Sequence, residues 1–166
     1  MLEGAGFRVS KPRIFEANTL FDTPQGSLWR SGRLLRLRRA GPQGILTYKG
    51  ASVPGKHKDR EELETPVSDV NTMSEILARL DFTPGFRYEK YRTEYQRAGE
   101  AGLATLDETP IGVYLELEGT PAWIDAQARR LGIAESAYIT SSYYGLYVDY
   151  CRRRGLEPTH MTFGGG

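Results

Sequence analysis

Charged and polar residues recur at every second position in six segments of the sequence, and their types suit the binding of phosphate and metal ions. A guanidinium group offers a planar fork to two phosphate oxygens, and arginines two positions apart, such as Arg36 and Arg38, can grip successive phosphates. Carboxylates two positions apart, such as Glu116 and Glu118, are hard oxygen ligands of the kind that Mg²⁺ and Mn²⁺ prefer. A row of cations beside a row of carboxylates therefore predicts a site for a metal ion bound to a chain of phosphates.

These charged positions share one face if each segment is a β-strand, because side chains alternate between the two faces of a strand. The face comprises Arg36 and Arg38; Thr47 and Lys49; Arg60, Glu62 and Glu64; Lys90, Arg92 and Glu94; Thr105 and Asp107; and Glu116 and Glu118. The opposite face carries side chains that need burial, namely Leu35, Leu37, Leu46, Tyr48, Leu63, Tyr91, Tyr95, Leu106, Leu115 and Leu117. We therefore expect the apolar core to lie on the outside of the sheet, under helices.

Two interpretations of the charged face are open. An antiparallel sheet commonly turns one polar face to water, which would make the pattern purely structural. The other interpretation is an enclosed polar tunnel, and two details favour it. Charged residues occupy consecutive inward positions with little of the Thr, Ser and Gln usual on exposed sheets, and cations and anions balance, which limits the cost of enclosing them.

The elements that must position these residues follow from periodicity and turn signals. We predict strands over 11–21, 34–39, 45–49, 60–65, 86–97, 103–107 and 112–118, a short helical turn over 27–32, and helices over about 69–80, 121–132 and 141–154. The fourth strand is expected to end at Pro66. Strands joined by hairpins predict an antiparallel α+β domain that curls into a barrel with helices packed outside. Residues 1–158 are expected to form this single domain, with 159–166 as a C-terminal tail.

Composition narrows the classes of protein. The 166 residues carry 22 Lys and Arg against 21 Asp and Glu, for a formal charge of +1, which disfavours a generally basic surface for nucleic acid. One cysteine, Cys151, excludes an internal disulfide and a thiolate zinc site, and two histidines exclude a histidine-rich metal site. No apolar run reaches the roughly 18 residues of a membrane span, so we expect a cytoplasmic protein.

The order of these motifs resembles that of the CYTH domain, which is found in class IV adenylate cyclase and thiamine triphosphatase. The segments that carry the resemblance are LRLRR (35–39), LTYKG (46–50), REELE (60–64), YEKYR (88–92), LDETPIG (106–112) and LELEG (115–119). Two further segments, FDTP (21–24) and ITSSY (139–143), are similar to minor signatures of the family. The resemblance spans nearly the whole chain and is nearest to the bacterial cyclase-like branch.

The resemblance implies an antiparallel eight-stranded β-barrel that holds a triphosphate along its axis. Phosphate would be bound by Arg36, Arg38, Lys49, Arg60, Lys90 and Arg92, and a metal by Glu116 and Glu118, while Glu62, Glu64 and Asp107 would complete metal binding or orient the basic side chains. The implied cofactor is Mg²⁺ or Mn²⁺, and the implied partner is a small-molecule triphosphate such as ATP, tripolyphosphate or thiamine triphosphate. Nucleic acid and membrane partners are not expected, and a homodimer is one assembly to test.

Two reactions fit such a tunnel. In the phosphatases a metal-positioned water attacks the terminal phosphorus, whereas in the cyclase the ribose 3′-hydroxyl attacks the α-phosphorus and pyrophosphate leaves. The sequence departs from the family in one respect. The family's hallmark is an N-terminal strand with the motif Glu-x-Glu-x-Lys, followed by a helix. Residues 1–7 resemble the end of that helix, and this sequence does not contain the strand. We therefore expect the first barrel strand to be missing, by truncation or by natural variation. A non-catalytic polyphosphate or nucleotide binder is the alternative function, and the interleaved carboxylates disfavour an RNA-binding barrel.

Overall fold

The computed structural model describes residues 1–52, 55–56 and 60–164. One of the two histidines of the sequence, His57, therefore lies outside the described residues. The strands are β1 (Arg8–Asp22), β2 (Leu34–Ala40), β3 (Gln43–Lys49), β4 (Glu62–Val67), β5 (Thr83–Gln96), β6 (Leu103–Thr109) and β7 (Gly112–Glu118). The helices are α1 (Ser27–Arg30), α2 (Val70–Arg79), α3 (Pro121–Arg130) and α4 (Tyr143–Arg154), with short 3-10 turns at Glu3–Ala5 and Glu135–Ala137. None of the helices in the described ranges is long and apolar enough to cross a bilayer.

The strands form one antiparallel sheet in the order β4-β3-β2-β1-β5-β6-β7, which confirms the predicted α+β class. Seven strands are described where the family resemblance implied eight. The two longest strands, β1 and β5, lie side by side at the centre, and hairpins extend the sheet on either side of them. The described pairing therefore leaves β4 and β7 as the outermost strands.

The strand register confirms that the charged positions share a face, because directly opposed residues in a sheet point to the same side. Arg36 lies opposite Thr47, which in turn lies opposite Glu64. On the other half of the sheet, Arg92 lies opposite Asp107. At these positions, the charged side chains of neighbouring strands therefore point to the same side of the sheet, as the alternation in the sequence predicted.

The apolar core lies on the other face of the sheet, as predicted, except that Leu63 of the outer strand β4 is 59% exposed rather than buried. One buried cluster contains Phe21, Leu37 and Val67 of the strands and Leu77 of α2, and partly buried neighbours surround it. A second cluster of Leu2, Phe7 and Ala104 packs with Trp123 of α3 and with Leu115 and Leu117 of β7. Burying a leucine or phenylalanine side chain contributes about 1.5–3 kcal/mol, so these clusters hold the sheet against α2 and α3.

Pro66 lies inside β4 rather than ending it, so the expected end of this strand at residue 65 is wrong. The strand continues to Val67, and Pro66 is paired with Ile45 of β3. Proline has no N–H to donate, and sheets accept it mainly in outer strands such as β4. Asp69 then caps α2, because its carboxylate accepts from the backbone N–H groups of Asn71 and Thr72.

The C-terminal segment is held against β5. The Met161 N–H donates to the Arg87 carbonyl, and the Glu89 N–H donates to the Met161 carbonyl, both at 2.9 Å. Met161 is buried and forms a parallel bridge with Tyr88. Because β6 pairs with β5 only from Tyr91 onward, residues of the predicted 159–166 tail cover the part of β5 that β6 leaves open.

Gly44 marks the tightest approach between β3 and the start of α2, and its replacement generates a prediction. An ideal Cβ there would lie 2.6 Å from the Val67 carbonyl oxygen and 2.6 Å from Val70 Cγ2. We expect Gly44→Ala to lower the free energy of unfolding by about 1–3 kcal/mol, measured by urea denaturation, since the overpacked carbonyl belongs to the paired strand. Gly4→Ala is the control, because nothing lies within 4 Å of that Cβ, and equal stabilities of the two variants would contradict the prediction.

Candidate functional site

The inner face of the sheet lines a cavity of about 1450 Å³. All of the residues predicted to bind phosphate or metal line this cavity except Asp107, which is completely buried beneath its wall. The side chains of these residues come from β2, β3, β4, β5 and β7 and from Arg60, which precedes β4. The structure therefore brings the predicted set together around one space.

Asp107 is the centre of the most deeply buried ionic contacts. Its Oδ2 accepts from Lys90 Nζ at 2.7 Å, from Arg92 Nη2 at 2.6 Å and from the Tyr143 hydroxyl at 2.6 Å. Its Oδ1 accepts from Arg92 Nε at 2.7 Å, so the guanidinium binds the carboxylate through two atoms. We call these four residues the Asp107 cluster. Their contacts favour the second role predicted for Asp107, which is to orient basic side chains.

The charge states within the Asp107 cluster follow from its contacts. Burial alone would raise the pKa of Asp107, but the hydrogen bonds and charges of Arg92 and Lys90 outweigh it and hold this pKa at about 2. Burial raises the pKa of Tyr143, and the nearby Glu116 and Asp107 carboxylates raise it further. Tyr143 is therefore a protonated donor and Asp107 a charged acceptor across the physiological range.

A second group of contacts spans β2, β3 and β4. Arg36 Nη2 donates to Thr47 Oγ1 at 3.1 Å and to Glu64 Oε1 at 3.2 Å, and the Thr47 hydroxyl donates to the same Glu64 oxygen at 2.7 Å. Lys49 Nζ donates to Glu62 Oε2 at 2.7 Å, and burial lowers the pKa of Lys49 despite this partner. Each predicted phosphate-binding residue of this group is therefore held in place by a carboxylate of β4.

Glu16 of β1 belongs to the site although the sequence analysis did not include it. It is 3% exposed, its Oε1 lies 3.4 Å from Arg38 Nη1, and its Oε2 lies 3.5 Å from Lys90 Nζ. The alternation along β1 is weak, since Ile14 shares the face of Glu16 and apolar residues also occupy the other face. The five charged residues of β1 are irregularly spaced, so no alternation in the sequence singled out Glu16.

Glu118 is the most exposed of the predicted metal ligands, with 56% of its side chain accessible and its nearest cation, Arg92 Nη1, at 3.9 Å. Burial of its carboxyl group raises the pKa of Glu118, Arg92 opposes this, and the charges of Glu116 and Glu62 raise it again. Glu62 of β4 and Glu118 of β7 line the same cavity, so carboxylates from both outer strands contribute to it. Carboxylates that repel one another are the arrangement that a divalent cation relieves.

A metal ion would need ligands beyond the protein at this place. Within the described ranges, no three His, Cys, Asp or Glu side chains are grouped closely enough to hold a metal ion. Magnesium commonly binds one or two carboxylates and completes its shell with substrate phosphates and water, so Glu116 and Glu118 fit that mode. Their hard oxygen atoms and partial exposure suit it chemically.

Aromatic rings continue the inner face beyond the charged residues. Tyr88 stacks on Tyr143 with ring centroids 5.7 Å apart and on Phe86 at 5.8 Å, and Phe86 contacts Tyr144 at 5.0 Å. Helix α4 therefore packs on cavity-facing residues, whereas α2 and α3 cover the outer clusters. The sequence analysis did not place Tyr143 in the site, because helical spacing does not identify which face of the sheet a helix covers.

Comparisons with known proteins agree with this geometry. The family model for the CYTH domain matches residues 2–143. The protein named "Putative adenylate cyclase MJ0240" from Methanocaldococcus jannaschii is 29% identical over 118 residues, which cover 70% of this chain and 66% of that protein. The chain thus spans about two thirds of that relative's length.

Solved structures share the fold. The PH1819 protein from Pyrococcus horikoshii is 24% identical with a TM-score of 0.76, and the similarity covers 89% of this chain and 90% of that one. The protein named "Putative adenylyl cyclase HpAC1" from Hippeastrum, described as having a dominant triphosphatase activity, is 16% identical with a TM-score of 0.63. That similarity covers 90% of this chain and 86% of the Hippeastrum chain.

The low pKa of Asp107 predicts a loss of stability in acid. Because this pKa is about 2 when folded and about 3.8 when unfolded, the charged carboxylate stabilises the fold fully above pH 4. Protonation at pH 2 should remove about 2 kcal/mol of that stabilisation. The difference in unfolding free energy between wild type and Asp107→Asn, measured by urea denaturation, should therefore shrink by this amount between pH 6 and pH 2.

Glu108→Gln is the matched control for this measurement. Glu108 is the next residue, but its ion pair with Arg13 is exposed, so its removal should change stability little at either pH. A difference between wild type and Asp107→Asn that stays constant with pH would show that Lys90 and Arg92 do not depend on the Asp107 charge.

Proposed function

This chain belongs to the CYTH domain family, and on that premise we propose that it is a metal-dependent enzyme that acts on a small-molecule triphosphate bound in the inner cavity. The observation that carries this proposal is the concentration of cations on the inner face: Arg36, Arg38, Lys49, Arg60, Lys90 and Arg92 all line the cavity. Several cations along one wall match the charge of several linked phosphates.

The cations have different roles in phosphate binding, according to how deeply their side chains are buried. Lys90 is 1% exposed and lies under the Tyr143 ring, with its ammonium 5.2 Å from the ring centroid, so it supplies positive potential from beneath the wall. Lys49 and Arg60 are only partly buried and can donate directly to phosphate oxygens. Arg38 has one carboxylate contact, to Glu16 at 3.4 Å, and its Nε has no hydrogen-bond acceptor among the described residues. Its guanidinium can therefore gain phosphate contacts without losing a strong partner.

Glu116 and Glu118 would hold Mg²⁺ or Mn²⁺ against the phosphates. The metal would neutralise developing negative charge and orient the attacking oxygen when bound. Glu116 already accepts from Arg92 Nη2 at 2.5 Å, so this carboxylate links the metal position to the Asp107 cluster. The chain would thereby set the distance between the metal and the fixed cations.

Two reactions are consistent with this site, and both start from a triphosphate bound in the same way. Attack by water on the terminal phosphorus breaks its bond to the bridging oxygen and releases orthophosphate. Attack by the ribose 3′-hydroxyl of ATP on the α-phosphorus releases pyrophosphate and forms cyclic AMP. The M. jannaschii relative is named a putative adenylate cyclase, and the Hippeastrum protein, also named a putative adenylyl cyclase, is described as having a dominant triphosphatase activity.

A non-catalytic binder of polyphosphate or nucleotide is the second candidate function. One observation favours it: Asp107 pairs with the buried cations Lys90 and Arg92, which reduces the positive charge available to stabilise the charge that develops during phosphoryl transfer. Such a protein would use the same cavity but leave the phosphate bonds intact.

Phosphorus NMR after mixing the protein with ATP and Mg²⁺ or Mn²⁺ tests the proposal. We expect either ADP with orthophosphate or cyclic AMP with pyrophosphate, and the product identifies the reaction. Addition of EDTA should abolish either one, since the metal neutralises the phosphate charge. Unreacted ATP whose resonances shift beyond a metal-only control would favour the binder, and resonances that do not change would contradict both functions.

Arg38 provides a binding prediction. We expect Arg38→Ala to raise the Kd for tripolyphosphate by about tenfold or more, measured by calorimetry, because one charge-assisted contact is worth about 1.5–3 kcal/mol. Arg39→Ala is the matched control, since Arg39 is the adjacent arginine but reaches outward to Asn71 Oδ1 at 3.1 Å. Equal effects of the two variants would exclude a specific role for Arg38 in the cavity.

A further inference from the structure

Trp29 has the highest exposure of any tryptophan or other aromatic side chain among the described large hydrophobic residues, at 63%. It lies in α1 and lines the same cavity as the phosphate-binding residues. Its ring contact is with Tyr144, at a centroid distance of 5.2 Å and an interplanar angle of 82°. An edge-on contact of this kind leaves most of the indole surface free for another planar group.

The backbone that carries Trp29 is held firmly. Asp22 accepts from the backbone N–H groups of Thr23 at 2.7 Å, Leu28 at 2.9 Å and Trp29 itself at 2.8 Å. Burial would raise the pKa of Asp22, but these three donors outweigh it and lower this pKa, so the carboxylate stays charged. Trp29 is thus an exposed side chain on an ordered backbone, and binding to it carries little ordering cost.

A continuous row of rings joins Trp29 to the phosphate-binding residues. Trp29 contacts Tyr144, Tyr144 contacts Phe86 at 5.0 Å, and Phe86 stacks on Tyr88 at 5.8 Å. The Tyr88 hydroxyl then accepts from Arg36 Nη1 at 3.4 Å. One wall of the cavity therefore changes from charged to aromatic and ends at Trp29.

We propose that Trp29, with Tyr144 and Phe86 behind it, forms a stacking site for the flat aromatic ring of an organic triphosphate. This inference rests on the proposed function and adds the substrate class: a nucleotide or another triphosphate with an aromatic ring, rather than inorganic tripolyphosphate. The charged wall binds the phosphates and the aromatic wall binds the ring of the same molecule. Base–aromatic stacking contributes affinity for any base, because every base has a π-face.

Paired titrations test the stacking site. Calorimetric titrations of ATP and of tripolyphosphate, with Ca²⁺ replacing Mg²⁺ to slow turnover, are compared for wild type and Trp29→Ala. We expect Trp29→Ala to raise the Kd for ATP by about tenfold, because the stacking contact with the adenine ring is lost, and to leave the Kd for tripolyphosphate within about twofold. Trp29→Phe, which keeps a ring, should recover most of the affinity for ATP.

Phe163→Ala is the matched control, because Phe163 is a partly exposed aromatic residue that packs on Tyr91 away from the cavity lining. It should change neither Kd. A second readout is tryptophan fluorescence. ATP should quench the emission of wild type more than that of Trp29→Ala, whereas tripolyphosphate should change the emission of the two proteins equally. Thermal denaturation of each variant monitors the fold.

The outcomes separate this inference from the proposed function. If ATP and tripolyphosphate bind and Trp29→Ala changes neither Kd, the stacking site is overturned and the triphosphate site stands. Equal weakening of both ligands also overturns it, because Trp29 would then support the shape of the cavity rather than a ring. If wild type binds neither ligand, the proposed function itself fails.

Discussion

The ion pairs that Lys90 and Arg92 form with Asp107 are the interaction on which the inner face of the sheet depends. A cation removed from water costs several kcal/mol when it has no partner, and β5 contributes two of them side by side. Asp107 on β6 lies opposite Arg92, so one carboxylate serves both cations and accepts the Tyr143 hydroxyl as well. The fold can therefore keep dense positive charge beside a cavity while β5 and β6 remain closely paired.

The two faces of the sheet have separate roles, since the outer face stabilises the fold and the inner face lines the cavity. Both roles fit one sequence because side chains alternate between the two faces of a strand. Hydrophobic clusters under α2 and α3 supply most of the stabilisation, so the inner face can carry charged side chains whose main role is binding. Helix α4 joins the two ends of the inner face, because Tyr143 contacts Asp107 while the next residue, Tyr144, contacts Trp29. One rigid element thus sets the separation between the ionic and aromatic parts of the cavity.

Most of the architecture could be predicted from local patterns, and the deviations have physical reasons. Alternation located the strands, since the period of two is a property of any extended chain with one buried face. The pattern placed the end of β4 too early at Pro66, because the cost of a proline depends on whether its strand is central or outermost. The start of β1 at Arg8 was also missed, since that end pairs only with β5 and crosses register shifts near Lys11 and Ile14.

The sequence by itself determined which side chains share a face and how helices such as α2 begin, because strand alternation and the Asp69 cap involve residues within a few positions of one another. Only the tertiary structure decided which charges meet. Glu16 reaches Lys90 because β1 lies beside β5, and Tyr143 reaches Asp107 because α4 crosses the inner face. Such partners are distant along the chain, so strand order, register and the placement of α4 select them, and no local pattern encodes all three.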